Sequence, residues 1–259
     1  GYDEVLEDLE ESLKNLQTDK IEIYQIHELG PDEVEQVMRK DGALDAFKRA
    51  KSEGMIDFIG LTSHHTQVMV DLIKTGEFDT VMFPFNVIER EPEAELVGLC
   101  RSLNVGTIVM KALAGGVIRN IENSHRFLCG YPLDNILVGC ATVDELNENI
   151  DFMEKAKPLS AEELKKFEEE VAPLGKDFCR RCNYCMPCPN DIIIPVMIHL
   201  TWQRMKGQGY EKMSSHEKER AKNLSIWWQA CTECGECEQK CPYDLPTIER
   251  KRELMEKFS

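Results

Sequence analysis

The chain has 259 residues, with 31 basic against 47 acidic side chains and a formal net charge of -16. Such an acidic balance argues against nucleic acid as a partner, and no stretch approaches the apolar length needed to span a bilayer. The charge is uneven: residues 1–175 carry 17 basic and 35 acidic side chains, whereas residues 176–259 carry 14 and 12, a shift that predicts two domains.

In chain order, Glu4–Asn15 predicts an amphipathic helix with Val5, Leu6, Leu9, Leu13 and Leu16 on one side. Short apolar runs then predict strands at Ile21–His27, Phe58–Ser63, Thr80–Asn86, Gly106–Lys111 and Asn135–Gly139. Helical segments lie around Ala43–Ser52, Gln67–Lys74, Glu93–Ser102 and Asp144–Met153. Strand starts recur every 22 to 37 residues, the rhythm of βα units around a parallel sheet. Thr142-Val-Asp-Glu145 and Ser160-Ala-Glu-Glu163 each read as a capping box, the second with Leu159 and Leu164 placed as a hydrophobic staple. The helix opened by Ser160, about Ala161–Val171, would bridge to the cysteine-rich end.

No Gly-x-Gly-x-x-Gly follows any strand, which disfavours the open dinucleotide-binding sheet. Polar and reactive residues instead gather at the C-terminal strand ends: His27, Thr62-Ser63-His64, Asn86, Lys111 and Gly139-Cys140. A (βα)8 barrel places its site there. Five strands are too few to close such a barrel, which takes about eight. The expected fold is therefore α/β: a partial (βα)8, TIM-type barrel over 1–157, a linker helix over 158–175, and a small, mainly helical domain over 176–259.

Eight of the eleven cysteines fall in that last region. The first run is Cys179-x-x-Cys182-x-x-Cys185-x-x-Cys188-Pro189. The second, Cys231-x-x-Cys234-x-x-Cys237-x-x-x-Cys241-Pro242, has the spacing of a bacterial ferredoxin. Two runs in one small domain point to two 4Fe–4S clusters with crossed ligation. Cluster one would take Cys179, Cys182, Cys185 and Cys241; cluster two would take Cys231, Cys234, Cys237 and Cys188. The first run is one residue shorter before its last cysteine, which alters the reach of Cys188. Structural zinc is the competing reading, although zinc sites favour two separated Cys pairs over a triple run. Oxygen-labile clusters would place the protein in a reducing cytoplasm.

Other residues carry weaker signals. His64 and His65 resemble a metal pair, but adjacent strand residues face opposite sides. Lys111 is a candidate Schiff-base lysine, though an anion or carboxylate contact fits it better. Cys100, Cys129 and Cys140 read as small core residues. Trp202, Trp227 and Trp228, between the cysteine runs, are expected to cover the clusters from water.

The segments Asp19–His27, Ile59–His64, Phe78–Asn86, Val109–Leu113, Glu148-Asn149 and Phe178–Pro189 together resemble the aldo/keto reductase family, in the branch with a C-terminal ferredoxin-type domain. The resemblance implies that the five strands are barrel strands four to eight. It implies that His27 orients and polarises a substrate carbonyl. It also implies nicotinamide contacts at Ser63 and His64, and further cofactor contacts around Lys111, Gly139, Thr142 and Asn149. The family's catalytic Asp, Tyr and Lys belong to the first three βα units, which this sequence does not contain; the chain begins with Gly1, and the expectation is that an N-terminal piece is missing. Met82 stands where the family usually carries Gln, and Met110-Lys111 where an aromatic stacks on nicotinamide.

Asp144 and Glu145 in the first turn of the last barrel helix would repel a 2′-phosphate, so NADH is expected over NADPH if a dinucleotide binds. The expected function is nicotinamide-linked redox of a carbonyl- or alcohol-type small molecule, coupled to 4Fe–4S electron transfer with a redox protein partner. The alternative is an electron-transfer or structural iron–sulfur protein whose barrel is non-catalytic, and a third reading is a zinc-stabilised barrel aldolase using Lys111.

Overall fold

The computed structural model describes residues 1–175, 178–180, 182–199, 201 and 210–258. The chain divides into two compact units, residues 1–112 with 122–159, and residues 113–121 with 160–259. Helix Ala161–Val171, expected as a linker, clusters with the second unit, and so does the loop 113–121.

The first unit is an α/β layer. Its elements run α1 (Tyr2–Leu16), β1 (Ile21–Ile26), α2 (Val34–Met38), α3 (Ala43–Ser52), β2 (Ile56–Thr62), α4 (Thr66–Ile73) and β3 (Thr80–Pro84). They continue through α5 (Glu91–Ala94), α6 (Leu96–Leu103), β4 (Gly106–Met110), α7 (Ile121–Leu128), β5 (Asn135–Ile136) and α8 (Val143–Lys155). The strands form one parallel sheet in the order β1-β2-β3-β4-β5. Sequential parallel neighbours need a crossover each time, and the helices supply it.

The core follows from the near-continuous apolar character of the middle strands. Ile59, Leu61, Val81, Phe83 and Val109 are buried, as are Met69, Val70 and Ile73 from α4 and Leu96 and Val97 from α6. Each such side chain contributes ~1.5–3 kcal/mol of transfer free energy. Phe83, Phe85, Phe127 and Tyr131 form a chain of ring contacts, with Phe85 and Tyr131 edge to face at 4.9 Å. Gly60 lies between its partners Gln25 on β1 and Thr80 on β3. A Cβ there would stand 2.5 Å from Thr80 Oγ1 and 2.8 Å from Gln25 Cγ, so only glycine fits.

Several expectations need correction. β2 begins two residues earlier than expected and keeps Thr62, while the other strands stop short of the polar residues assigned to them. His27, Ser63, Asn86 and Lys111 therefore sit on the turns just past the sheet, where the backbone is free to aim them. The single helix expected over Glu93–Ser102 breaks at Glu95 (φ -139°), giving α5 and α6. Leu16 points to solvent although Leu9 of the same stripe is fully buried. The helix after β5 exposes its apolar residues: Val143, Leu146, Ile150 and Met153 are exposed on α8, and Asn149 is its buried residue.

The second unit contains α9 (Ala161–Val171), α10 (Ile194–Ile198), α11 (Ser215–Ser225), α12 (Glu236–Gln239) and α13 (Thr247–Phe258). The Ser160 capping box is complete: Ser160 N donates to Glu163 Oε2 at 2.8 Å, and Glu163 N to Ser160 Oγ at 3.3 Å. An apolar cluster of Ile192, Ile194, Met197, Ile198, Trp228, Leu245 and Leu254 includes Cys179 and packs against Cys185, Cys188, Cys231, Cys237 and Cys241. Among the described residues no helix is long and apolar enough to cross a membrane.

Candidate functional site

Two groups of functional side chains are built on these units. In the second unit, tight turns aim the thiols inward. In the first run, Met186 N donates to Asn183 O at 2.8 Å and Asp191 N to Cys188 O at 3.0 Å, with Asn183 and Asp191 at positive φ. In the second, Gly235 at φ 82° lets the chain reverse into α12, and Cys241 N donates to Glu238 O at 3.1 Å. Asn190 Nδ2 donates to Thr232 Oγ1 at 3.2 Å, tying the two runs together. Lys251 and Arg252 hold Glu233 in the second run, and the Arg252 bond, then Lys251, lowers its carboxyl to about 2.

A cavity is lined by Cys188, Cys231, Cys234, Cys237 and Cys185, with Trp228 and Ile194 among its walls. Cys188, despite the shorter spacing of its run, thus lines the same cavity as the three cysteines of the second run. Burial, followed by the neighbouring Cys179, Cys182, Cys241 and Cys237 in that order, pushes the Cys185 thiol up to about 12. Burial likewise pushes Cys237 up to about 11, with Glu238 and Cys231 adding to it. Cys185, expected in the other set, also lines the cavity of Cys188, Cys231, Cys234 and Cys237. Among the described residues, no group of three or more His, Cys, Asp or Glu side chains stands in a metal-holding arrangement, whereas five thiols ring one cavity. A cubane bonds its ligands from outside and fits such a ring. Its positive core would also offset the mutual repulsion of buried thiolates.

Trp228 is buried in the cavity wall, as expected of a shield; Trp227 is instead 62% exposed, and Trp202 lies outside the described residues. Of the remaining cysteines, Cys100 is a core residue with its thiol pushed up to about 11 by burial. Cys129 is half-buried, and Cys140 is exposed rather than in the core.

In the first unit, the C-terminal strand ends form a polar rim. His27 is exposed at the end of β1, and the next residue, Glu28, turns back at φ 58° and donates its N–H to Thr62 Oγ1 at 2.6 Å. Burial raises the Glu28 carboxyl above its ordinary value; His27 and Lys111 oppose this, and Glu33 reinforces it. Lys111, half-buried and also at φ 58°, therefore acts electrostatically on Glu28 from the end of β4. Left-handed backbone at two non-glycine residues facing one rim is the kind of strain found at functional sites. Asn86, buried, fixes the rim: its Nδ2 donates to Glu89 Oε2 and to Lys111 O at 2.9 and 3.0 Å. Glu28 was not among the residues singled out from sequence; its left-handed turn is a tertiary property with no short motif.

The expected nicotinamide contacts are differently placed. Ser63 is fully buried, donates its hydroxyl to Leu29 O at 2.7 Å and accepts from His65 N at 2.9 Å. His64 and His65 are both half-buried. Gly139 is exposed with open space around its α-carbon. Thr142 caps α8 by accepting from Glu145 N at 3.1 Å, but the Glu145 carboxylate accepts from Ala141 N at 2.6 Å, so the expected reciprocal box is not formed. Asn149 Oδ1 meets buried His125 Nε2 at 2.8 Å, and its Nδ2 donates to Glu145 O at 2.7 Å.

A parallel βα sheet with a polar rim, followed in the chain by a double cysteine loop, defines a barrel-type α/β domain carrying a cysteine-rich module. Residues 2–127 match the model of the aldo/keto reductase family and residues 178–246 that of the 4Fe-4S dicluster domain, so the chain carries an aldo/keto reductase domain followed by a 4Fe–4S domain. Curated relatives in Bacillus subtilis include the uncharacterized oxidoreductase YqkF, 22% identical over 64% of this chain and 65% of its own length. The aldo-keto reductase YhdN is 27% identical over 44% of this chain and 33% of its own. The chain thus spans from a third to just under two thirds of these relatives' length. Among solved structures, the aldo-keto reductase AKR11C1 from Bacillus halodurans superposes with a TM-score of 0.56 at 22% identity, covering 65% of this chain and 67% of that one. The thermostable aldo-keto reductase Tm1743 gives 0.51 at 22%, covering 64% and 66%. These likenesses establish the fold of the first unit.

Proposed function

We propose that the protein couples nicotinamide-linked redox of a carbonyl- or alcohol-type small molecule, at the strand-end rim, to single-electron transfer through two 4Fe–4S clusters. Cys179, Cys182, Cys185 and Cys241 would hold one cluster; Cys231, Cys234, Cys237 and Cys188 would hold the other. The observation that carries this reading is the cavity uniting Cys188 of the first run with the three thiols of the second. When bound, the clusters supply one-electron storage and transfer, which hydride chemistry at a carbonyl does not itself require.

The chain's own residues have separable roles. Trp228 and the Ile194 side of the cavity keep water from the thiols. His27 would orient the substrate oxygen, with Glu28 and Lys111 as a charged pair beside it. NADH is favoured over NADPH because the Glu145 carboxylate already occupies the Ala141 N–H at the start of α8, where a 2′-phosphate would have to displace it. A second reading, an electron carrier with a non-catalytic barrel, draws support from Ser63 and Asn149, whose side chains are engaged in internal bonds.

The test has two parts, both anaerobic. Iron and acid-labile sulfide near eight of each per chain support the two clusters, and zinc in their place overturns them. Stoichiometric NADH oxidation with a one-electron dye then supports the coupled enzyme, whereas full clusters without NADH binding support the carrier.

A further inference from the structure

We propose that Trp228 donates its indole N–H to a sulfur of the cluster assigned to Cys231, Cys234, Cys237 and Cys188, and thereby raises the reduction potential of that cluster; the inference rests on the cluster assignment made above. Trp228 is 1% exposed and lines one cavity with those four thiols. It sits in the 3-10 helix Ile226–Ala230, which leads directly into the second cysteine run. Its carbonyl accepts from Cys231 N at 3.1 Å, so the tryptophan backbone is bonded to that of a candidate ligand. Its ring belongs to an apolar cluster with Ile192, Ile194, Leu245 and Leu254, against which Cys231 and Cys237 pack. Those four side chains are hydrocarbon and accept no hydrogen bond. Trp228 Nε1 is nevertheless buried, with no hydrogen-bond partner among the described residues.

An indole nitrogen is a donor and never an acceptor. Buried tryptophans ordinarily give this N–H a partner, and leaving it unpaired costs ~1–3 kcal/mol. The wall that Trp228 shares with the thiols supplies acceptors of one kind, the sulfurs of the ligands and of the cluster they would hold. Reduction of a four-thiolate cubane takes up one electron from an external donor, with no bond made or broken, and adds negative charge to those sulfurs. Hydrogen bonds strengthen as the acceptor gains charge. A fixed N–H therefore stabilises the reduced form more than the oxidised form, which raises the potential. The effect needs no buried net charge, because the donor is a neutral dipole.

The experiment uses the full chain, purified anaerobically, reduced with dithionite and labelled with nitrogen-15 at the indole nitrogens. Pulsed electron paramagnetic resonance then reads whether an indole nitrogen is coupled to a reduced cluster. The chain has three tryptophans, Trp202, Trp227 and Trp228. The expected result is a nitrogen-15 coupling in the parent that persists in the double variant W202F/W227F and vanishes in W228F. In a redox titration W228F lowers one of the two potentials by about threefold in the reduction equilibrium, ~28 mV at about 59 mV per tenfold for one electron, and leaves the other in place. A parent without indole coupling overturns the proposal. So does a coupling lost in W202F/W227F, or a W228F protein with both potentials unchanged. If W228F does not assemble its clusters, W202F/W227F decides, since Trp228 is its one remaining indole: coupling there supports the proposal and its absence overturns it. Iron and sulfide far below about eight of each per chain in the parent overturn the cluster assignment itself, and the proposal with it.

Discussion

Replacing Gly60 with alanine should destabilise the first unit measurably, because β2 passes Gln25 and Thr80 with no room for a Cβ. The added carbon would stand 2.5 Å from Thr80 Oγ1, 2.8 Å from Gln25 Cγ and 3.1 Å from Gln25 Nε2. All three atoms belong to residues directly paired with Gly60 across the sheet, so relief requires two neighbouring strands to spread. Overpacking of this kind costs ~1–3 kcal/mol, and for a unit of this size that is a fall of ~2–4 °C in Tm per kcal/mol. The loss of glycine's freedom in the unfolded chain offsets about 0.4–1 kcal/mol of it. Thr80 Oγ1 makes no hydrogen bond in its buried position, so the contact can be removed from the other side: Thr80→Ala should rescue part of the Gly60→Ala defect. The assay is thermal unfolding by far-UV circular dichroism on the four members of the double-mutant cycle. A Gly60→Ala variant melting with its parent, or a cycle with no coupling, would refute the steric account.

Further outcomes follow from the same geometry. Cys188→Ala and Cys241→Ala should each lose about half of the bound iron, since each removes a ligand of a different cluster; loss confined to neither or common to both would contradict crossed ligation. Glu145→Gln frees the N-terminus of α8 from a carboxylate worth ~0.3–1 kcal/mol against an anion, so the NADPH to NADH affinity ratio by fluorescence titration should rise about two- to fivefold. Ser160→Ala removes a complete capping box and should cost ~0.5–2 kcal/mol of stability in urea unfolding. The Glu28 carboxyl is held above its ordinary value, so the folded state keeps that proton to higher pH than the unfolded state does. Its contribution to stability is present at low pH and is lost as pH rises through the folded value; Glu28→Gln should flatten that part of the pH–stability curve.

The parallel sheet was legible in the sequence because short apolar runs recur at the spacing of βα units. The iron–sulfur domain was legible because the second cysteine run has ferredoxin spacing. What the sequence concealed depends on long-range packing. The left-handed turns at Glu28 and Lys111 carry no local signal. Asn149 on α8 was expected to contact a cofactor, yet the fold buries it, because His125 from α7 supplies its partner. Thr142 and Glu145 have the capping-box spacing, but the carboxylate finds the Ala141 N–H first. Arg180 looks like one of two ordinary arginines between cysteines until its guanidinium lies over the ring of Tyr243, far along the chain.

In the second unit the candidate ligand thiols and the apolar core are largely the same residues: Cys179 lies inside the core cluster, and Cys185, Cys188, Cys231, Cys237 and Cys241 form its lining. Loading the inorganic core and folding the polypeptide are then a single event. Iron supply becomes a determinant of how long the protein survives after synthesis. Oxygen and chelators, which leave peptide bonds untouched, act on this unit as denaturants, and a chain that has lost its inorganic filling presents its interior to the quality-control machinery of the cell.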